Sequence, residues 1–131
     1  MASSIPKEVK KEVVDTWIAE TWKVALFTTL QTASLYSSCT NEVVGTGYTA
    51  GGATVTKSDW GVGSDYVDTT NAKIDATDST WTSATFTARC AVVYNTTTSK
   101  IRAIYDFAAD KVVTGGTFTI QWNAGGLIKI S

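Results

Sequence analysis

The first stretch with a chemical signature is rich in glycine. Residues Gly45-Thr-Gly47-Tyr-Thr-Ala50 have the G-x-G-x-x-A spacing of dinucleotide-binding turns, in which the N-terminus of a following helix holds the pyrophosphate. Here Gly51, Gly52 and a β-type run at 53–56 follow the motif instead of a helix. The sequence therefore predicts a glycine-rich turn without a nucleotide.

A second stretch concentrates carboxylates, at Asp65, Asp68, Asp75 and Asp78. Converging carboxylates could bind calcium, and a suitably spaced pair could hydrolyse a glycosidic bond. The spacing of a helix–loop–helix calcium site is absent, however, and on a strand Asp65 and Asp68 would point to opposite faces. We therefore predict solvated loop acids, and no metal site.

The chain contains no histidine, which excludes Ser-His-Asp and Cys-His catalysis and all histidine-containing zinc sites. The stretch Gly61-Val-Gly63-Ser64-Asp65 lacks the closing glycine of a nucleophile elbow. Cys39 and Cys90 could pair, but two isolated cysteines in a chain without a secretion signal are more often buried thiols. The sequence thus predicts no catalytic residue and no cofactor.

Composition narrows the class of partner. The chain has 131 residues, 44% of them hydrophobic, 11 Lys+Arg and a net charge of -1. That is one domain with a core, and a slightly acidic chain binds phosphate backbones poorly. No apolar run reaches the roughly 18 residues of a membrane-spanning helix. We therefore expect neither nucleic acid nor membrane nor small-molecule substrate as a partner.

One helix is predicted, over residues 7–19, because Val9, Val13, Val14, Trp17 and Ile18 recur at helical spacing. Fewer than four turns are marginally stable alone, so the helix must pack on something. Two alternatives are open: it packs on its own domain, or it docks as an arm on a neighbouring subunit.

The remaining pattern is that of strands. Polar residues 95–99 read as a hairpin loop and 110–116 as a second turn. The strand at 85–94 alternates, with Phe86, Ala88, Cys90, Val92 and Tyr94 on one face; on the return strand Ile101, Ala103, Tyr105 and Phe107 share a face. The predicted strands, about eight, are 23–29, 53–56, 66–69, 72–77, 85–94, 100–107, 117–122 and 127–130.

This count and spacing predict a mainly β fold, an antiparallel, jelly-roll-like β-sandwich preceded by a short N-terminal helix. Residues 1–20 would form the N-terminal arm and helix, and residues 21–131 the sandwich.

Two tryptophans lie in the polar middle of the chain, at Trp60 and Trp81. They could contact another protein, pack locally, or stack on a sugar ring.

Five motifs carry a family resemblance, and they occur in a fixed order along the chain. They are Thr21-Trp-Lys-Val-Ala-Leu26, Gly47-Tyr-Thr-Ala-Gly-Gly52, Thr85-Phe-Thr-Ala-Arg89, Ala91-Val-Val-Tyr-Asn95 and Gly116-Thr-Phe-Thr-Ile-Gln-Trp122. From about residue 20 onward the chain resembles small virion structural proteins of tailed bacteriophages. The second and fourth motifs are the most specific. The resemblance implies a virion component with no enzymatic site.

The expected function is therefore a capsid decoration or cement protein on the capsid surface of a virion, made in the cytoplasm of the host bacterium. Its partners would be the major capsid protein and copies of itself, as trimers or dimers. The predicted contact residues are Val9, Val13, Trp17, Tyr48, Trp60 and Trp81. The alternatives are a tail or tail-fibre component and a carbohydrate-binding module.

Overall fold

A computed structural model describes residues 7–62, 72–122 and 127–130. The elements are α1 (Lys7–Ile18), β1 (Trp22–Phe27), β2 (Ala53–Thr54), β3 (Lys57–Val62), β4 (Ala72–Ala76), β5 (Ser79–Asn95), β6 (Ile101–Ile120) and β7 (Ile128–Ile130), with a short 3-10 turn at Tyr36–Ser38.

The mainly β, antiparallel class with one short helix is confirmed. Strands β2-β1-β5-β6 form a four-stranded sheet, and β3-β4-β7 form a smaller one. The sandwich arrangement of the sheets stays a prediction. The strand predicted at 66–69 lies outside the described residues.

The chain divides into two compact units. The helix unit contains α1 and the small sheet, from Met1–Glu20, Thr56–Thr77 and Gln121–Ser131; the sheet unit contains the four-stranded sheet, from Thr21–Val55 and Asp78–Ile120. The predicted domain boundary at residue 20 stays a prediction.

In the helix unit, the predicted helix is confirmed, and α1 contacts β3 and β4 of its own chain. Val14 is the buried contact residue, at 1% exposure, whereas Val9 on the same helix is 43% exposed. On the solvent side Lys11 and Asp15 form an ion pair one turn apart, with 2.7 Å between Nζ and Oδ2. Packing on β3 and β4 supplies the stability that a 12-residue helix lacks alone.

In the sheet unit, β1 lies between β2 and β5. Trp22 and Val24 through Phe27 are buried, which explains the continuous apolar run in this strand. The predicted inner face of β5, Phe86 to Tyr94 at alternate positions, is also buried. Ala91 and Val93 on the opposite face are fully buried as well, so β5 is covered on both faces where it pairs with β1.

The hairpin loop between β5 and β6 forms where it was predicted. The side chain of Asn95 accepts hydrogen bonds from the backbone N–H groups of Thr97 and Thr98, at 2.8 and 3.3 Å. This is the turn geometry that asparagine favours.

The predicted turn at 110–116 is wrong, because β6 runs without a break from Ile101 to Ile120. β-Bulges accommodate the extra residues of β6. Cys90 pairs with Asp106 and Ala88 with Lys111, so residues 107–110 of β6 lie opposite a single residue of β5. Ala108 in this bulge has a φ of 64° and Gly115 a φ of 58°. The Asp106 side chain stabilises the first bulge, accepting the Ala108 N–H at 2.8 Å.

A smaller bulge also changes one predicted face. Tyr94 pairs with Ile101 and Val93 with Ala103, so one residue of β6 is extra between them. Ile101 consequently packs against the core cluster of Ala25, Phe27, Cys90, Val92 and Tyr94. It therefore lies on the face opposite to Ala103, contrary to the prediction.

Candidate functional site

A carboxylate in the sheet unit is hydrogen-bonded directly to two tyrosines and, through a glycine, to a third. Glu42 accepts a hydrogen bond from the Tyr36 hydroxyl at 2.6 Å, through Oε1. Its Oε2 accepts from the Tyr48 hydroxyl at 2.5 Å and from the Gly51 N–H at 2.7 Å. The Tyr94 hydroxyl donates to the Gly51 carbonyl at 2.6 Å. We call these five residues the Glu42 cluster.

The Glu42 cluster fixes the segment 28–52 onto the sheet. The Tyr48 hydroxyl also accepts the Leu26 N–H of β1 at 2.9 Å, so the cluster reaches the sheet backbone. The Tyr36 ring stacks on Tyr94 of β5, with 4.2 Å between ring centroids and 7° between planes. Hydrogen bonds and stacking therefore act on the same segment.

The predicted glycine-rich turn is confirmed, and it contributes Tyr48 and Gly51 to the Glu42 cluster. Gly47, Gly51 and Gly52 all have positive φ, of 83°, 96° and 83°. A side chain at Gly52 would collide with the Val24 carbonyl of β1, and one at Gly47 would lie 2.8 Å from the Ala84 Cα of β5. The glycines are needed because the turn lies directly against the sheet.

The tyrosines of the cluster are held in the protonated state. Burial, and then the hydrogen bond to Glu42, raise the pKa of Tyr36 and Tyr48 well above the ordinary value. Burial also raises the pKa of Tyr94. All three hydroxyls therefore remain hydrogen-bond donors throughout the neutral range, and what the cluster does chemically is to orient and hold a loop.

A second cluster is purely aromatic, at the far half of the β5–β6 hairpin. Trp81 contacts Phe118 edge to face at 6.0 Å, and Phe86 lies 5.2 Å from Phe118. Tyr48 links the two clusters, with its ring 5.9 Å from Phe86 and 6.3 Å from Trp81. These rings pack the 45–50 turn against the hairpin.

The six predicted contact residues are placed very differently. On α1, Val9 is 43% exposed and Val13 and Trp17 are half-buried. Tyr48 is half-buried, and Trp81 is only 6% exposed. The Trp60 side chain lies outside the described residues. The structure brings Tyr48 and Trp81 together; contact of any of the six with a partner stays a prediction.

Of the most exposed apolar side chains among the described residues, sequence reasoning singled out Val9, at 43%. It missed Val44 at 96%, Val112 at 71%, Leu30 at 51%, and Leu35 and Ile104 at 36%. Val112 was missed because residues 110–116 were predicted to form a turn, whereas Val112 lies on strand β6. Glu42 was also missed, because a single glutamate between Asn41 and Val43 carries no local signal of its hydrogen-bond partners.

The two cysteines are unpaired thiols, Cys90 buried and Cys39 half-buried. Burial raises the pKa of both, which lowers their reactivity. Within residues 7–62, 72–122 and 127–130, no three acidic, histidine or cysteine side chains are placed to hold a metal ion. Asp65 and Asp68 lie outside the described residues.

In the described part of the chain, no helix has the length and apolar character to cross a membrane. Comparison of the whole sequence with models of protein families finds no match. Comparison with curated proteins and with solved structures likewise finds none. The resemblance to small virion structural proteins of tailed bacteriophages stays a prediction from the sequence motifs.

Proposed function

We propose that the chain is a non-enzymatic structural protein of a tailed-bacteriophage virion, a decoration or cement protein on the outside of the capsid. Its partners are the major capsid protein and other copies of itself, as trimers or dimers. Because a capsid repeats the same binding sites, modest individual contacts add up to a firmly held layer.

The observation that carries this proposal is strand β6. It has 20 residues and lies at the end of the four-stranded sheet. Most of its side chains are exposed, including Val112 at 71%. A long strand that offers backbone groups and apolar side chains suits extended contact with another protein.

The virion setting is supported by the resemblance of the motifs at 47–52 and 91–95. Both belong to the sheet unit, and the structure gives each a physical role. The first is the turn that lies against β1, and the second is the part of β5 that pairs with β1.

The two alternatives differ in what supports them. A tail or tail-fibre protein would use the same strand, and copy number separates it from a capsid protein. A carbohydrate-binding module needs exposed rings, whereas Trp81 is 6% exposed and packs on Phe118. For Trp81 the structure therefore favours local packing over both sugar stacking and contact with another protein.

Quantitative mass spectrometry of purified virions of the encoding phage tests the proposal. We expect a copy number comparable to that of the major capsid protein. A few copies per particle would assign the chain to the tail, and its absence from the particle would refute a virion role.

A binding assay tests whether the exposed side chains of β6 contact the capsid. Virions stripped of the protein are incubated with the purified chain, with Val112→Asp, or with Thr97→Asp as a control at the exposed hairpin turn. We expect Val112→Asp to weaken binding about tenfold or more, because a charge replaces an apolar contact, and Thr97→Asp to bind like the unchanged chain. Equal binding by all three would remove β6 from the interface.

A further inference from the structure

The start of β6 is covered on its outer side by a short segment of the same chain. We call residues 34–37 the strap. The Tyr36 N–H donates to the Ser99 carbonyl at 2.8 Å, and the Ile101 N–H donates to the Ser34 carbonyl at 3.0 Å. Leu35 and Lys100 form an antiparallel bridge between these two bonds. The strap thus occupies the position of one more strand.

The direction of the backbone groups shows which edge the strap covers. The Lys100 carbonyl accepts the Asn95 N–H at 2.8 Å, toward β5. The Ser99 carbonyl and the Ile101 N–H are directed to the strap instead, whereas the Ser99 N–H donates to the Asn95 carbonyl within the hairpin turn. Because alternate residues of a strand point to opposite sides, the strap lies on the edge away from β5. Among the described strands, β5 is the sole neighbour of β6.

Tyr36 anchors the strap. Its hydroxyl bonds to Glu42, its ring stacks on Tyr94, and its edge meets Phe27 with 6.3 Å between ring centroids. The strap itself is otherwise exposed, with Leu35 at 36%. Beside the backbone bonds and a bond from the Ser37 N–H to the Ser99 Oγ at 2.9 Å, Tyr36 thus provides the side-chain contacts that join the strap to the core.

The charge order of the covered segment indicates what would replace the strap. Lys100, just before β6, and Arg102 are basic, whereas Asp106 and Asp110 are acidic and follow later. Asp110 is exposed, and Asp106 is in addition paired with Arg89 of β5, with 3.3 Å between Oδ1 and Nε. An antiparallel pair of two such strands places the basic end of each beside the acidic end of the other. A parallel pair would place like charges together, which is unfavourable.

We propose that the strap is a removable cap on the edge of β6, and that its release opens this edge to antiparallel pairing with β6 of a second copy. The bulge between Asp106 and Lys111 confines the pairing to the part of β6 before it, since a bulge of that size interrupts a regular ladder. This inference rests on that part of the proposed function in which copies of the chain meet, and it adds how their meeting is controlled.

Sedimentation of Tyr36→Ala against the unchanged chain is the central test. We expect Tyr36→Ala to self-associate about tenfold more tightly, because the strap loses its anchor. Phe118→Ala is the matched control: Phe118 is, like Tyr36, a half-buried aromatic residue of the sheet unit, and its ring contacts are with Trp81, Phe86 and Phe107. If Phe118→Ala associates equally, the effect is general destabilisation and the proposal is overturned.

Two charge variants test the pairing. Adding Lys100→Asp to Tyr36→Ala places acids at both ends of the segment and should reverse the association. Adding Lys111→Asp, an equal change at an exposed site beyond the first bulge, should leave it intact. Failure of Lys100→Asp to reverse the association overturns the proposed partner.

Hydrogen exchange of the unchanged chain tests the cap without a destabilising substitution. The Tyr36 and Ile101 amides should exchange together, about tenfold or more faster than the Asn95 amide, which bonds within the hairpin. Equal exchange of all three would make the strap an inseparable part of the sheet. These results are independent of where the chain lies in a particle, so the strap and the virion proposal fail separately.

Discussion

Replacing Glu42 by glutamine is the sharpest test of the Glu42 cluster. The carboxylate accepts three hydrogen bonds, from the Tyr36 and Tyr48 hydroxyls and the Gly51 N–H. Glutamine keeps one oxygen and the same volume, but it removes the charge and places an amide donor where an acceptor stood. At least one donor therefore loses its acceptor or must turn, and the remaining bonds become neutral.

A hydrogen bond to a charged group contributes about 1.5–3 kcal/mol, and a neutral one about 1 kcal/mol. Losing the charge and one good acceptor should thus lower the free energy of unfolding by about 2 kcal/mol. For a chain of this length that corresponds to a fall in melting temperature of roughly 8 °C. Urea and thermal unfolding followed by circular dichroism measure both quantities.

Glu12→Gln is the matched control, because it makes the same change of charge at an exposed position of α1. We expect it to stay within about 0.5 kcal/mol of the unchanged chain. A double-mutant cycle of Glu42→Gln with Tyr48→Phe should show a coupling energy of about 1 kcal/mol. Additive effects, or a Glu42→Gln cost equal to that of Glu12→Gln, would refute the view that this carboxylate holds the loop.

Three further predictions concern pH, backbone and thiols. Burial raises the pKa of Tyr105 to about 12, and it also raises the pKa values of Tyr36, Tyr48 and Tyr94. The contribution of these tyrosines to stability should therefore be complete below the unfolded-state pKa of about 10. It should be lost as the pH rises through the folded-state pKa values. Ultraviolet titration of tyrosine beside unfolding curves measures this, and tyrosines that titrate normally in the folded chain would contradict it. Gly52→Ala should lower the free energy of unfolding by about 2 kcal/mol or more, because the new Cβ would collide with the Val24 carbonyl. Gly115→Ala should lower it by about 1 kcal/mol, because nothing lies within 4 Å of its Cβ. Equal melting temperatures of the two variants would contradict the close approach at Gly52. An aromatic disulfide reagent should modify half-buried Cys39 slowly in the folded chain and buried Cys90 at the rate of unfolding; simultaneous reaction would place both thiols alike.

The sequence allowed good predictions where one local rule acts alone. Helix α1 follows from the spacing of Val9, Val13 and Val14, and the buried face of β5 follows from strict alternation between Phe86 and Tyr94. The 95–99 loop follows from the affinity of Asn95 for its own turn. In each case the residues that decide the structure are neighbours along the chain.

Prediction from the sequence failed where residues far apart along the chain determine the local structure. Gly115 and Gly116 suggest a turn, but pairing with β5 keeps β6 extended, and the residues of β6 that have no partner on β5 form bulges. Glu42 shows no pattern in the sequence, because its partners come from positions 36, 48 and 51 of a folded segment. Trp81 stands among polar residues, yet its neighbour across the hairpin is Phe118, 37 positions later along the chain. Long-range pairing therefore determined what local composition could not indicate.

The two strands of the long hairpin are unequal: β5 has 17 residues and β6 has 20. At about 3.3 Å per residue, the outer strand has about 10 Å more contour than its partner. This surplus bends the hairpin and increases its twist at each bulge. A bent ribbon cannot stack indefinitely on identical ribbons, because flat, regular strands are what growing fibrils require. If copies join through this strand as proposed, we expect the length mismatch to limit growth and to give finite groups rather than open-ended filaments.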